Sequence, residues 1–140
     1  MSRRWFLTRA AMCSPYLVLS VPSYAQTMPQ STVVSLDEAR KLHESGQAIL
    51  IDIRESDEHA AGVAPGARLL PMSQINRRIA EIPLDNGQPV LLICRTQNRS
   101  SAVQQALRAQ LGERYAHVRY VHGGMSDWAK RGWPLVKPTP

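Results

Sequence analysis

The amino-acid sequence predicts an α/β fold in which a mostly parallel sheet carries helices on both faces. Short apolar segments alternate with helix-like segments along the chain, which is typical of this class. Apolar runs such as Val90–Ile93 are continuous rather than alternating with polar residues, as expected for strands covered on both faces. The 140 residues, 44% of them hydrophobic, are enough for one domain.

The first 25 residues are interpreted as a cleaved export signal. They have a basic start without an acidic residue, an apolar middle over Ala10–Val21 and a small-residue exit at Ser23-Tyr24-Ala25, the pattern of a signal peptide. Pro15 interrupts the apolar part and Pro22 follows it, and the apolar part is shorter than the roughly 20 residues needed to span a bilayer. We expect cleavage after Ala25 and no stable membrane anchor afterwards.

The start of this segment, Ser2-Arg3-Arg4-Trp5-Phe6-Leu7, resembles a twin-arginine export motif. An ordinary secretory signal with additional arginines is the alternative. The twin-arginine interpretation implies that the protein folds in the cytoplasm and is exported to the periplasm. Replacement of Arg3 and Arg4 by lysine should then block export, and unchanged export would contradict the interpretation.

The charge pattern excludes some partners. Of 17 basic and 11 acidic residues, only three arginines lie in the first 25 positions, so the remainder has a formal charge of +3. It contains neither blocks of basic residues nor aromatic platforms, and nucleic acid is therefore not an expected partner.

Residues 26–31 are predicted to be a flexible leader and residues 32–137 the folded domain.

Capping and turn signals delimit the elements of the first half. Ser35 followed by Glu38 is a capping box, and an apolar run that ends in an acid indicates a strand. Glycine and proline mark the turns between elements. The predicted elements are a helix from Ser35 to Leu42, a strand from Ala48 to Asp52, a short helix from Ser56 to Ala61 and a strand from Arg68 to Leu70.

The second half continues the alternation. An apolar stripe of Ile75, Ile79 and Ile82 predicts a helix, for which Ser73 is the expected cap. The remaining predicted elements are a strand from Val90 to Ile93, a helix from Ser100 to Gln110, a strand from His117 to Val121 and a short helix carrying Trp128.

The loop that follows the strand Val90–Ile93 predicts a reactive cysteine. The strand stops at Cys94, and a helix resumes a few residues later, which places the sulfur beside the unpaired N–H groups of a helix start. Arg95 and Arg99 add positive charge. These surroundings favour the thiolate, which is the nucleophilic form. The edge formed by the carboxyl ends of the strands is also where active sites of such sheets lie.

Cysteine usage supports this prediction. The chain has two cysteines, and one of them, Cys13, lies in the export signal. Cys94 therefore has no partner for an internal disulfide after cleavage. An unpaired thiol in an oxidising compartment is either buried and inert or used chemically. The alternative for a lone cysteine is a small core residue.

Three stretches together resemble a single-domain rhodanese. They are Asp52-Ile53-Arg54 with Glu58 and Gly62-Val63-Ala64-Pro65-Gly66-Ala67, the loop Cys94-Arg95-Thr96-Gln97-Asn98-Arg99-Ser100, and Val121-His122-Gly123-Gly124-Met125-Ser126-Asp127-Trp128. The resemblance implies a rhodanese-like fold with a central sheet of about five strands. It spans most of the chain after the export signal.

The resemblance implies a sulfurtransferase that works through a cysteine persulfide. Cys94 would take sulfane sulfur from a small anionic donor such as thiosulfate and pass it to cyanide or to a thiol, without a metal or organic cofactor. A periplasmic sulfur-acceptor protein is a further implied partner. The implied substrate- and persulfide-binding loop consists of Arg95, Thr96, Gln97, Asn98, Arg99 and Ser100. Arg99 would brace the loop, and Arg95 would face its mouth.

Two positions depart from the family pattern. Gln97 stands where the family commonly has glycine, so we expect either slight strain in the loop or an amide that reaches the pocket. Val63 stands where histidine is frequent, and a structural role is expected for it.

Two other functions are weighed against this one. A persulfide carrier with little turnover would use the same cysteine. A phosphatase or arsenate reductase would need five residues between the cysteine and the arginine, whereas four separate Cys94 from Arg99.

His43, His59, His117 and His122 lack the spacing of metal ligands, so satisfied or surface histidines are expected. Asp52 and Arg54 are expected to anchor the sheet edge.

Overall fold

The computed structural model describes residues 31–84 and 87–139. All five strands pair in parallel and form one sheet in the order β1-β5-β4-β2-β3. The strands are β1 (Val33–Val34), β2 (Ile49–Asp52), β3 (Arg68–Leu69), β4 (Val90–Ile93) and β5 (Val118–Val121). The α/β class and the five-stranded parallel sheet predicted from the sequence are confirmed.

Helices connect the strands and cover both faces of the sheet. They are α1 (Leu36–Glu44), α2 (Ser56–Ala60), α3 (Ile75–Arg78), α4 (Asn98–Leu111) and α5 (Gly124–Lys130). The cap predicted for α1 is present, since the Ser35 hydroxyl accepts a hydrogen bond from the Glu38 N–H at 3.2 Å.

Side chains of β4 alternate between two apolar cores. Val90, Leu92 and Cys94 lie in the core beneath α3 and α4, and Leu91 and Ile93 lie in the core beneath α1 and α5. All four residues of the strand are fully buried. The central strand therefore fixes which face of the sheet the cysteine side chain occupies.

Two local predictions need correction. The segment before β4 begins with a 3-10 turn over Met72–Gln74, and Ser73 lies inside this turn instead of capping α3. The backbone N–H and the hydroxyl of Ser73 donate to the Glu55 carboxylate at 2.9 and 2.8 Å, a tertiary contact that replaces the cap. Helix α4 begins at Asn98, two residues before the predicted start.

The carboxy-terminal segment packs back onto the domain. Val136 pairs with Val63 in an antiparallel bridge, with both N–H···O distances at 2.9 Å. The indole N–H of Trp128 donates to the Pro134 carbonyl at 2.9 Å. Val63 is 4% exposed, so the structural role expected for this position is confirmed.

The predicted export signal, residues 1–25, lies outside the described residues, as does nearly all of the leader. In the described ranges, no helix combines the length and the apolar character needed to cross a membrane.

Candidate active site

Cys94 lies at the carboxyl edge of the sheet, directly after β4. Its neighbour strand β2 ends at the same edge, where Asp52 pairs in register with Ile93. The chain leaves β4, makes a short loop and enters α4 at Asn98. Cys94 is a free thiol and is only 1% exposed, so a reactant must reach a sulfur that is shielded on most sides.

Ser100 makes two polar contacts with the Cys94 sulfur. Its backbone N–H donates to Sγ at 3.4 Å, and its Oγ lies 3.4 Å from the same sulfur. The hydroxyl also donates to the Gln97 carbonyl at 3.2 Å. Because a hydroxyl has one proton and two lone pairs, it accepts from the thiol in this arrangement and can donate to a thiolate after rotation. Both forms of the sulfur thus have a partner.

The cysteine loop is held against the start of α5. The Cys94 and Arg95 carbonyls accept hydrogen bonds from the Met125 and Ser126 N–H groups at 2.8 and 2.9 Å. Gly124 has a φ of 57°, and a Cβ there would lie 2.5 Å from the Cys94 carbonyl oxygen. Only glycine permits this close approach. The Gly123-Gly124 element therefore fixes the backbone that carries the cysteine.

Gln97 takes part in this contact through its side chain. The Gly123 N–H donates to Gln97 Oε1 at 3.3 Å. The Gln97 backbone has a φ of −147°, which any residue adopts, so the expected strain at this non-glycine position is not present. The amide oxygen contacts Gly123 at the start of α5, and Gln97 is not among the residues that line the pocket beside the loop.

Arg99 is bound by Glu58. Its two terminal nitrogens lie 2.7 Å from the two carboxylate oxygens of Glu58, and Glu58 Oε2 also accepts from the Glu55 N–H at 2.9 Å. The hydrogen bond from Arg99 is the main reason that the pKa of Glu58 is lowered from 4.5 to about 2, and the same contact raises the pKa of Arg99. Arg99 is therefore tied to Glu58 on α2, and this carboxylate compensates its charge.

Asp52 and Arg54 anchor the sheet edge. Arg54 Nε and Nη2 donate to the Asp52 carboxylate at distances down to 2.6 Å, and Nη2 also donates to the Gly62 carbonyl at 2.9 Å. His59 is 3% exposed, and its Nε2 lies 3.4 Å from Asp52 Oδ1 without a hydrogen bond. This burial of an unsatisfied histidine differs from the surface or satisfied role expected for it.

A shallow pocket of about 270 Å³ lies beside the loop. Its wall consists of Arg54, Glu58, Ala61, Arg95, Met125 and Ser126. Arg95 is exposed, and within residues 31–84 and 87–139 no carboxylate lies in ion-pair distance of it. Arg95 thus lies in the wall of this pocket as an unpaired cation.

The other predicted loop residues lie at the surface. Thr96 and Asn98 are exposed, and neither side chain contacts the sulfur. His43 and His117 bind backbone carbonyls through Nε2 at 2.7 and 2.9 Å, and His122 is exposed. The part of the chain that the structure describes contains no cluster of potential metal ligands.

The role of Glu58 was missed from the sequence. Glu58 belongs to the first of the three stretches, but it stands 41 positions before Arg99, and no local pattern predicts such a pair. An acid at the exposed start of a short helix is usually interpreted as a favourable helix-dipole contact.

Comparison with known proteins identifies the family. Residues 35–131 match the model of the rhodanese-like domain. A protein named sulfurtransferase from Allochromatium vinosum is 36% identical over 100 residues, covering 71% of this chain and 89% of that protein.

Two solved structures are also similar to this chain. The human single-domain sulfurtransferase TSTD1 is similar with a TM-score of 0.60 and 28% identity over 73% of this chain and 98% of that one. A rhodanese-related protein from Thermoplasma volcanium has the same fold, with a TM-score of 0.64 and 24% identity over 76% of this chain and 98% of its own. The chain belongs to the rhodanese-like domain family, and the similar proteins above include two named sulfurtransferases.

Proposed function

We propose that Cys94 carries sulfane sulfur as a persulfide between a small donor and a thiol or cyanide acceptor. With thiosulfate, the Cys94 thiolate forms a bond to the outer sulfur while the S–S bond of thiosulfate breaks, and the bonding pair leaves with sulfite. In the second step, cyanide attacks the terminal sulfur, so that thiocyanate leaves and the Cys94 thiolate returns. Splitting the transfer into two covalent steps is nucleophilic catalysis.

One observation carries this proposal. The Cys94 sulfur is buried at the carboxyl edge of the sheet with a backbone N–H and a hydroxyl of Ser100, each 3.4 Å away. The backbone N–H is a fixed donor that stabilises a charged sulfur without reorganising, and the hydroxyl adds a second donor once it rotates away from the Gln97 carbonyl. The unpaired Arg95 at the mouth attracts an anionic donor.

A persulfide carrier is the second candidate, and the burial of Cys94 favours it. A sulfur that is 1% exposed can be loaded and then protected from small acceptors until a partner protein docks. Intact-mass analysis after exposure to thiosulfate should show an adduct of about 32 Da, the mass of one sulfur atom, on a cysteine. Cys94→Ser should show none.

Steady-state assay with thiosulfate and cyanide then separates the two candidates. An enzyme forms thiocyanate in many turnovers, and a carrier shows the adduct with almost no turnover. Absence of the adduct on the folded wild-type protein would contradict both. Phosphatase activity is not proposed, because both terminal nitrogens of Arg99 are bound to Glu58, and we expect no hydrolysis of an aryl phosphate.

The location of this activity belongs to the same proposal. The twin-arginine motif supports export to the periplasm, where the donor, the acceptor or an acceptor protein would be met. Export that continues after Arg3 and Arg4 are replaced by lysine would contradict this part of the proposal without affecting the chemistry.

A further inference from the structure

A groove of about 380 Å³ lies between α3 and α4 on the surface of the domain. Met72, Ala102 and Ala106 line it and are exposed. Its other apolar residues are buried in the core beneath the two helices. Only Asn76 and Gln110 bring polar groups to it, and both carry uncharged amides. Exposed apolar surface with a polar rim is typical of interaction sites.

The α3–α4 groove opens at the edge of the sheet that carries the cysteine. The Met72 N–H donates to the Ile53 carbonyl at 3.0 Å, and the Ile53 N–H donates to the Ile93 carbonyl at 2.9 Å. Cys94 follows Ile93, so the backbones of Met72 and Cys94 are two strand spacings apart, roughly 10 Å. The Cys94 side chain points into the core beneath α3 and α4, and the groove therefore lies on the same face of the sheet as the sulfur.

The free charges beside the groove are positive. Glu81 is bound to Arg78 at 2.6 and 2.7 Å, and Glu58 is bound to its arginine on α4. Arg77 on α3 and Arg95 in the cysteine loop are exposed, and neither has an ion-pair partner in the part of the chain that the structure describes. A second copy of this chain would bring the same cations together, so an acidic partner fits this rim better.

We infer that the α3–α4 groove is the docking site for an amphipathic, acidic helix of the protein that takes sulfur from Cys94. The inference rests on the proposed sulfur transfer and adds the surface and the chemistry of the acceptor. A helix that lays its apolar face in a groove is a common recognition mode. The short side chains of Ala102 and Ala106, one turn apart, allow a close approach to α4, and Met72 is a side chain that adapts to its partner.

Docking would raise the local concentration of the acceptor thiol beside a sulfur that is only 1% exposed. In the transfer step, the thiolate of the partner's cysteine forms a bond to the outer sulfur of the Cys94 persulfide. The bond between the two sulfurs of the persulfide breaks with its electron pair on the Cys94 sulfur, while the outer sulfur keeps its proton. The partner leaves as a hydropersulfide and Cys94 returns as a thiolate, so no oxidant or reductant is consumed.

The probe is a synthetic helical peptide with leucines on one face, glutamates on the other and a cysteine on a short glycine linker. The cysteine is placed at either end in separate peptides, and the faster of the two is used. A peptide with lysines in place of the glutamates and the neutral thiol N-acetylcysteine amide are the comparisons. Each protein is loaded with thiosulfate and freed of it, and loss of sulfur from Cys94 is followed by intact mass. The proteins are the wild type, Ala106→Glu, Ala109→Glu, Arg77→Gln and Arg114→Gln.

The deciding quantity is the rate constant for the acidic peptide divided by that for the small thiol. The wild type should give a ratio of roughly ten or more. Ala106→Glu should lower this ratio about ten-fold, because its carboxylate occupies the groove and repels the glutamates of the peptide. Ala109→Glu is the matched control, since it adds the same charge to an exposed position of α4 outside the groove, and it should keep the ratio.

The charge of the partner is tested at the rim. Arg77→Gln should lower the ratio for the acidic peptide about three-fold, as expected for one screened unit charge. Arg114→Gln removes an exposed arginine beyond the end of α4 and should keep the ratio. The lysine peptide should react more slowly than the acidic peptide with the wild type.

A wild-type ratio close to unity, or equal ratios in Ala106→Glu and Ala109→Glu, would overturn the docking site while leaving sulfur transfer intact. A lysine peptide that reacts as fast as the acidic one would overturn the charge assigned to the partner. Arg77→Gln keeps the test decisive if Ala106→Glu does not fold. A wild type that forms no persulfide with thiosulfate would instead contradict the proposed function itself.

Discussion

At the scale of single residues, Ser100 provides the polar contacts of the reactive sulfur. Its N–H is fixed by the first turn of α4, and its hydroxyl stands between Cys94 Sγ and the Gln97 carbonyl. Neither contact depends on a charged side chain. A sulfur anion at this site is therefore stabilised by the oriented backbone N–H and by a hydroxyl that donates to it after rotation.

Ser100→Ala should slow persulfide formation on Cys94 roughly three- to ten-fold, because the variant loses one hydrogen bond worth about 1 kcal/mol and keeps the backbone donor. The measurement is the time course of the sulfur adduct by intact mass. Ser101→Ala is the matched control, since its hydroxyl donates to the Asn98 carbonyl at 3.1 Å and does not contact the sulfur. Equal rates in both variants would contradict a role for the Ser100 hydroxyl.

At the scale of elements, the site is assembled where the loop after β4 meets the start of α5. The loop carbonyls accept the first N–H groups of this helix, and Gln97 binds Gly123. The donors at the start of α5 are therefore used within the protein. This contact holds the loop in one conformation, which requires glycine at position 124.

Gly124→Ala tests this contact against Gly132→Ala. Both glycines have positive φ values, 57° and 67°, but a Cβ at Gly132 meets nothing within 4 Å, while at Gly124 it meets backbone atoms of the loop. We expect Gly132→Ala to lower the free energy of unfolding by about 1 kcal/mol and Gly124→Ala by about 3 kcal/mol or more. Urea denaturation checks both values. Similar losses of unfolding free energy in the two variants would show that the loop backbone shifts readily to accommodate a Cβ at position 124.

The pair between Glu58 on α2 and Arg99 on α4 joins the two helices that flank the site. Because the pKa of Glu58 is lowered to about 2 in the folded protein, its stabilising effect is present above pH 4.5 and is lost as the pH falls towards 2. Glu58→Gln should lower the free energy of unfolding at pH 7 by about 1–2 kcal/mol, after allowance for its partial exposure.

The difference between the wild type and Glu58→Gln should shrink as the pH falls from about 4.5 towards 2. Urea denaturation at pH 7, 4.5 and 3 measures it. The matched control is Glu81→Gln, whose pair with Arg78 is at the surface and should have little effect at any of these pH values. A difference in unfolding free energy that is independent of pH would mean that the charge of the Glu58 carboxylate does not contribute to stability.

At the scale of the whole molecule, features that depend on residues close together in the sequence could be predicted. Features that depend on contacts between distant residues could not. The strand Val90–Ile93 and the position of Cys94 at its end depend on a continuous apolar run and the residues next to it, and both are confirmed. Strand β1 has only two residues, Val33 and Val34, too few for a recognisable pattern, and it was not among the predicted elements. It forms because β5 offers it an edge.

The parts of the site that were missed all depend on distant partners. The Glu58–Arg99 pair, the contact of Gln97 with Gly123 and the binding of Ser73 to Glu55 join residues from different elements. A sequence pattern indicates that such side chains are polar, but only the packed fold decides which of them meet. Arg99, which the sequence places beside Cys94 as a positive charge, is paired with Glu58 for the same reason.

The segment after α5 closes the molecule on the face opposite α4. Trp133 packs edge-on against the buried Trp128 with ring centroids 5.0 Å apart, and the guanidinium of Arg40 lies 4.6 Å from the Trp133 ring. Together with the Val63–Val136 bridge, these contacts join the end of the domain to α1 and to the turn after α2. The contacts of this segment stabilise the fold, and the residues that form them do not contact the Cys94 sulfur.

Truncation after Gly132 should therefore lower the free energy of unfolding by about 3 kcal/mol, since Trp128 loses its ring partner and its indole N–H loses the Pro134 carbonyl. Urea denaturation measures this loss, and Lys137→Ala, which removes only a contact to the Ala60 carbonyl, is the control. Below the unfolding transition the truncated protein should still form the Cys94 persulfide, because Ser100 remains in place. Failure to form it while folded would mean that the carboxy-terminal segment also positions the cysteine loop.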